Sequence, residues 1–403
     1  MTTTPAAAEL NWDPFTRELW EDPYPTYKRL RDEAPVYYNE QHDFWALSRW
    51  EDCDFGLADQ EHFSSARGNI LEFIQAGIEM PPGTVIMEDP PSHDINRALI
   101  SRLFTPKAIL GLEPAIRDYT TRNLDPVAGV EEWDVIRVLS DTVPMRVIGM
   151  LMGIPEEMQQ EFRESTVASL QTGEDGRMGA VDVMDTSLFE KYIDWRLEHP
   201  ADDIMTKLLT AEFVDAEGVT RTLTRDEVIV YCTVVSGAGN DTTGNLISWF
   251  CKLLAEERYR GVYQQLVDDP SLIPACVEEV LRVEPVGHAV ARYVKKDVTF
   301  QGQVIPAGSA CTFIVASANR DERVWGDNAD VIELGRRTNS MRTFGKGPHY
   351  CIGANLARME GRIVLEELVK RYPKGWDIDL SQARLASTST VRGWEKLPLR
   401  PRS

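Results

Sequence analysis

The sequence predicts one large, mainly α domain with small peripheral β-sheets, and three observations carry that expectation. Apolar residues recur at the 3.6-residue helical period over most of the chain, whereas apolar/polar alternation is confined to two short stretches. No Pro/Gly/Ser-rich linker, charge block or low-complexity run divides the 403 residues, so they read as a single domain, 1–403, with residues 1–20 expected to be loosely ordered. One helical stretch near the middle is much longer than the others and carries its own start signal.

Taken in order, the segment from Pro35 to Trp50 alternates around Asn39 to Asp43 and reads as a hairpin. Phe63 to Pro91 lacks a steady period and carries Gly68, Gly77, Pro81, Pro82 and Gly83, and so reads as a long loop, of a length that is usually functional or disordered. Helical periodicity marks Val143 to Met152, Val228 to Leu254, Ile273 to Arg282 and Ile352 to Leu368. A second hairpin is expected over Val298 to Phe313, turning at Gln301-Gly302. The long helix opens on Thr224-Arg225-Asp226-Glu227, a capping box, and its pattern continues to about Glu256, roughly 45 Å at ~1.5 Å per residue. Gly237 and Gly239 in its interior each cost ~1 kcal/mol relative to alanine, so something must approach that backbone closely.

Composition narrows the function classes. A formal charge of −21 repels phosphate backbones and anionic lipid, which disfavours nucleic acid and membrane surfaces as partners. The opening Met1-Thr2-Thr3-Thr4-Pro5 has no signal-peptide character, and no apolar run reaches the ~18 residues of a bilayer span, so a soluble cytoplasmic protein without a membrane anchor is expected. The six cysteines lie far apart with no CxxC pair, which argues against a disulfide framework and a thiolate zinc site. A hydrophobic share of 43% over this length is enough to bury a core and enclose a cofactor cavity.

The sharpest signal is Phe344-Gly345-Lys346-Gly347-Pro348-His349-Tyr350-Cys351-Ile352-Gly353, followed at once by an amphipathic helix through Leu356, Met359, Ile363 and Leu368. That places Cys351 at a helix N-terminus, where the macrodipole and free N–H groups favour a thiolate suited to a metal. Gly345, Gly347 and Gly353 would let backbone pass close to the sulfur and a flat cofactor. No phosphate-loop or dinucleotide spacing accompanies these glycines. A lone cysteine after a glycine-rich turn is ordinarily a buried structural residue. The whole pattern Phe344-Gly345-x-Gly347-x-His349-x-Cys351-x-Gly353, however, resembles the haem-binding loop of the cytochrome P450 family at each defining position.

That resemblance, which extends from about Asp22-Pro23-Tyr24 to Arg392-Gly393, implies a haem enclosed between the long central helix and the cysteine loop. Cys351 would be the metal ligand to a haem b iron. His349 would contact a propionate, joined by His93 and Arg97 in Pro90-Pro91-Ser92-His93-Asp94-Ile95-Asn96-Arg97 and by Arg292, because two carboxylates need cations nearby. Ala238-Gly239-Asn240-Asp241-Thr242-Thr243 would cross the distal face, with Asp241 and Thr242 relaying the protons that dioxygen cleavage consumes in a pocket otherwise kept dry. Glu279 and Arg282, at i and i+3, match the family's ExxR helix, and Arg336 completes that structural network.

The resemblance further implies monooxygenation: one atom of O2 inserted into a C–H bond (hydroxylation), with electrons from NAD(P)H through a separate ferredoxin and ferredoxin reductase. Arg342, Lys346, Arg358 and Arg362 around Cys351 form the expected docking patch for an acidic ferredoxin. Carried over by position, the substrate pocket comprises Ile70, Leu71, Phe73, Ile74, Leu170, Val234, Ala238, His288, Val290 and Val391. Its apolar character suits a small hydrophobic molecule such as a terpenoid, steroid, fatty acid or aromatic compound, although a hydrophobic-core reading fits the same residues. His288, in Pro285-Val286-Gly287-His288-Ala289-Val290, departs from the family pattern and either hydrogen-bonds substrate or is a satisfied core histidine. The alternatives to monooxygenation are a peroxide-using haem enzyme, a haem-binding or sensor protein without turnover, and a non-haem metal or redox role for Cys351.

Overall fold

A 31-residue helix, Arg225–Ala255, runs through the computed structural model, which describes residues 10–155, 187–386 and 391–402. Both arms of its capping box form, Thr224 accepting from the Glu227 N–H and Glu227 reaching back to the Thr224 N–H, so the start lies where the sequence puts it. Unlike a surface helix, it buries residues on all sides, from Val228 to Leu254. Helices Val143–Met152, Ser187–Glu198, Ile273–Val283 and Ala354–Arg371 pack around it.

Its glycines separate into two kinds. A Cβ on Gly239 would stand 2.6 Å from Ile148 Cδ1, and one on Gly244 would stand 2.5 Å from the Ser140 carbonyl oxygen, so neighbouring elements make the close approach at these positions. Gly237 has nothing within 4 Å of that point. Gly361 does the same service for the helix after the cysteine: its Cβ would lie 3.0 Å from Leu246 and 3.3 Å from Val277, which lets Ala354–Arg371 seat against two helices at once.

The main sheet has five strands in the order Val36–Asn39, Phe44–Leu47, Ala310–Phe313, Val290–Val294, Phe63–Ser64. The first two form the expected hairpin, paired from Val36↔Leu47 to Asn39↔Phe44. The second expected hairpin divides. Val298–Phe300 pairs with Gln303–Ile305 across Gln301 (φ 48) and Gly302 (φ 79), two left-handed residues of the kind a tight hairpin demands. Ala310–Phe313 instead leaves for the main sheet, parallel to Phe44–Leu47 and antiparallel to Val290–Val294.

Two expectations are corrected. Phe63 to Pro91 is not structureless, since it holds strand Phe63–Ser64, helix Leu71–Ala76 stopped by Gly77 at φ 65, and a 3₁₀ turn Val85–Met87. None is long enough to show a period. Residues 10–20 are not loose either: Trp12 is 1% exposed against Phe44 and Tyr27, and helix Arg17–Glu21 follows. Residues 1–9 lie outside the described residues.

The Glu279–Arg282 pair is wholly buried. Arg282 donates Nε to Glu279 Oε1 at 2.7 Å and Nη2 to Oε2 at 3.0 Å, and its remaining hydrogens reach the carbonyls of Asn319, Ala329 and Val331. Arg336 Nε adds a second cation to Glu279 Oε2 at 3.2 Å, and the Glu333 N–H donates to the same oxygen at 2.9 Å. Removing the carboxylate strands a buried guanidinium. Glu279→Ala is therefore expected to cost about 3–5 kcal/mol in a urea-unfolding measurement; a loss below about 1 kcal/mol would mean that the carbonyl cage suffices to hold Arg282.

Candidate active site

The cysteine loop is shaped by left-handed turns at Gly345 (φ 73) and Gly347 (φ 71), conformations that disfavour a side chain. Between them and the helix Ala354–Arg371, the Cys351 N–H donates to the Phe344 carbonyl at 2.8 Å and closes the loop. Gly347 also lies against another helix, Trp50–Ala58, where a Cβ would come 2.9 Å from Ala58 Cα. The loop glycines thus serve turn geometry and packing first. Gly353 is the one beside the sulfur, its Cβ position 4.0 Å from Cys351 Sγ.

Cys351 differs from the other five cysteines, which are buried, in being accessible. Burial still raises its thiol pKa, while the N–H groups of Gly353 and Ala354 and the cations Arg97 and Arg358 pull it down. A bound metal ion deprotonates a coordinating thiol outright, so the raised value does not oppose ligation. Ile352, next in sequence, packs against the apolar cluster that contains Val234 of the central helix.

On that helix Ala238 and Thr242 share one face and are both exposed, although the segment around them is buried. Thr242 Oγ1 donates to the Ala238 carbonyl at 2.8 Å. Burial, and then the nearby Asp141 carboxylate, push Asp241 up to about 6, against a hydrogen bond from Asn240 Nδ2 at 3.1 Å. A carboxyl titrating near neutrality can both give and regain a proton.

Four nitrogen-bearing side chains converge, and the two arginines among them have no ion-pair partner among the described residues. Arg292, on strand Val290–Val294, is buried and donates to the Ala291 carbonyl at 2.8 Å, and burial lowers its pKa to about 10. Arg97 donates to the Tyr350 carbonyl. Neither has a carboxylate within ion-pair distance among the described residues. His93 and Arg97 lie one turn apart on helix Ser92–Ser101, and the rings of His93 and His349 are 4.3 Å apart. His93 Nδ1 contacts Asp94 at 3.0 Å, but its Nε2 is buried without a partner. Burial, and then the neighbouring guanidinium of Arg292, drive His349 down to about 3, so it stays neutral. A buried guanidinium, a second half-buried one and an orphaned ring nitrogen fit an anionic guest, and the two carboxylates of haem suit them.

The remaining sequence-derived positions scatter. Ile70 and Phe73 pack with Met87, whereas Leu71 and Ile74 turn to the core around Trp12, Tyr27 and Phe44, the core reading that the sequence left open for them. Val290 is half-buried beside the main sheet's core, and Val391 pairs with Gly287 in an isolated bridge. Leu170 lies outside the described residues. His288 is a satisfied core histidine: Nδ1 meets Tyr27 Oη at 3.2 Å, Nε2 meets Glu284 Oε1 at 3.3 Å, and both nitrogens are consequently committed within the protein.

The basic patch is also different from its expectation, because every cation in it has an internal partner. Arg342 and Lys346 both bind Asp54, Arg358 binds Glu278, and Arg362 binds Glu113 and Glu366. Sequence reasoning missed the helix responsible. Trp50, Asp54 and Ala58 recur every four residues on one face, and in turn they meet the Ser340 carbonyl, the Arg342 and Lys346 side chains, and Gly347. That i, i+4, i+8 spacing was visible, but nothing local says what it faces.

Comparisons with known proteins agree with this geometry. Residues 170–374 match the family model described as Cytochrome P450. The chain is 34% identical over 410 residues to Putative cytochrome P450 123 of Mycobacterium tuberculosis, covering 99% of each chain. It is 32% identical over 372 residues to Cytochrome P450(MEG) of Priestia megaterium, covering 89% of this chain and 88% of the relative. Among solved structures it resembles CYP109E1 from Bacillus megaterium in complex with corticosterone, with a TM-score of 0.81, 30% identity, and coverage of 96% of this chain and 100% of the other.

Arg292 offers a two-sided test. Replacing it with Met removes a buried charge that the protein itself does not neutralise, so the cofactor-free chain should gain about 1 kcal/mol in urea unfolding while haem retention falls. Equal haem retention in Arg292→Met and wild type, measured by dilution into a haem scavenger, would remove Arg292 from the binding site.

Proposed function

The chain belongs to the cytochrome P450 family, and on that premise we propose that it hydroxylates a small hydrophobic substrate, drawing electrons from NAD(P)H through a separate ferredoxin and reductase. The observation that carries the assignment of roles is the pairing of an accessible cysteine at a helix N-terminus with a cluster of His93, Arg97, Arg292 and His349 in which neither arginine has an ion-pair partner among the described residues and His93 Nε2 is buried without one. Cys351 would hold the iron and that cluster the propionates. When bound, the haem supplies the O2-activating chemistry.

The chain's own residues supply protons and exclude water. Asp241 holds a proton on its carboxyl at pH values below about 6 and hands it toward the exposed Thr242 hydroxyl one residue on. Thr242 must break its bond to the Ala238 carbonyl and rotate to pass a proton onward. In this reading Val234, two turns before Thr242 on the same helix, would contribute apolar surface that keeps the approach dry. The intact acid–alcohol pair supports electron-driven monooxygenation over direct use of peroxide, which does not need that relay.

A bulky apolar substrate of the steroid class suits this lining. Similar structures of CYP109E1 were solved with corticosterone and with testosterone, which favours that class within the wider set of terpenoids, fatty acids and aromatic compounds. Among the described residues no helix is long and apolar enough to cross a membrane, so such a substrate would be met from the aqueous side.

The deciding measurement is the absorption spectrum of reduced protein under carbon monoxide. A strongly red-shifted Soret band is expected, and Cys351→Ser should lose it; a wild-type spectrum in that variant would overturn thiolate ligation. Thr242→Ala should still bind haem but divert reducing equivalents to hydrogen peroxide, and unchanged coupling to product would reject its place in the relay. Since the protonated fraction of Asp241 falls as pH rises through about 6, coupling should fall over the same interval and Asp241→Asn should lack that inflection. A pH profile shared by both proteins would assign the proton to another group.

A further inference from the structure

Charge on the thiolate side is arranged to be withheld. The chain carries a net charge of −21, which repels an acidic carrier at long range, and the cations around the cysteine loop are cancelled locally by carboxylates. The Arg358–Glu278 pair is neutral. Arg362 is matched by Glu113 and Glu366, which also share Arg117. The Asp54 cluster is different, because one carboxylate serves two cations and leaves a local charge of +1.

Its two cations are not equivalent. Arg342 is bound twice to Asp54 Oδ1, through Nε at 2.6 Å and Nη2 at 2.5 Å, and stacks over the Trp50 ring at 4.8 Å, so its planar fork is fully engaged. Lys346 makes a single contact, Nζ to Asp54 Oδ2 at 2.6 Å, and its side chain is 40% exposed. A flexible ammonium with one partner can exchange that partner for another carboxylate at little cost. Lys346 also lies five residues before Cys351, inside the loop that the Cys351 N–H to Phe344 carbonyl bond closes.

We propose that Asp54 sets the affinity of the acidic one-electron carrier expected at this face, by competing with the carrier's carboxylates for the Lys346 ammonium. Asp54 is thus a positioning residue that holds the cysteine loop through Arg342 and limits the pull of the docking face through Lys346. This inference rests on the reading that electrons arrive from a separate carrier.

The probe is an acidic [2Fe–2S] ferredoxin titrated onto the haem-loaded protein over a range of ionic strength. Asp54→Asn should lower its Kd about threefold at low salt and steepen the salt dependence, because a competitor is removed and a net positive charge is added. Asp54→Glu should restore wild-type values, and Lys346→Gln should raise Kd about threefold and flatten the salt response. A mere change of local charge predicts that Asp54→Asn tightens binding equally in wild type and in the Lys346→Gln background, whereas competition for the ammonium predicts that the gain vanishes in that background. Unaltered binding in Asp54→Asn, or an undiminished gain in the double variant, would overturn the proposal, and if Asp54→Asn does not load haem, Asp54→Ser in the same two backgrounds decides. Failure of the underlying reading looks different: the wild type would then show no reduction by ferredoxin while still accepting electrons from dithionite.

Discussion

Much of this structure hangs on the buried Glu279–Arg282 pair. A guanidinium removed from water must have all its hydrogens accepted, and Arg282 meets that demand by drawing in the carbonyls of Asn319, Ala329 and Val331 from a distant, irregular part of the chain. That segment leads directly into the cysteine loop. The same neighbourhood carries the coupling further: Thr343 donates to the Leu281 carbonyl at 2.6 Å, and Asn319 bridges Thr343 and the Arg342 N–H. Satisfying one buried charge therefore fixes the path of the backbone that delivers Cys351.

The site itself is defined by an asymmetry of charge. On the side of Arg292, Arg97, His93 and His349, cations and ring nitrogens gather with no carboxylate of the protein close enough to pair with the arginines among the described residues. Around Cys351 on the outer side the opposite holds, since each cation is held by Asp or Glu. The first arrangement destabilises the chain until an anion arrives. The second suppresses the attraction of a surface that would otherwise bind any acidic protein, and it leaves partner choice to the few groups whose bonds exchange easily.

Close backbone contact is the other recurring device. Gly239, Gly244 and Gly361 each stand where a Cβ would press on a neighbouring element, which brings the central helix and the cysteine-bearing helix within direct packing distance of their surroundings. Ser140 presses its carbonyl against Gly244 from the turn that ends at Asp141, the carboxylate whose field reaches Asp241.

The sequence by itself determined the helical class, the capped start of the central helix at Thr224, the first hairpin, the cysteine loop and the Glu279–Arg282 spacing. Each of those signals is local: a period, a cap or a motif is complete within about thirty residues, so it can be read without knowing what it touches. Tertiary structure alone decided what depends on partners far away in the chain. It committed both nitrogens of His288 to Tyr27 and Glu284, turned Leu71 and Ile74 into core, split Ala310–Phe313 from its hairpin, and set Asp54 between Arg342 and Lys346 from nearly three hundred residues away. The physical reason is that burial and charge pairing are properties of neighbours in space, and a single sequence lists its residues only in order along the chain.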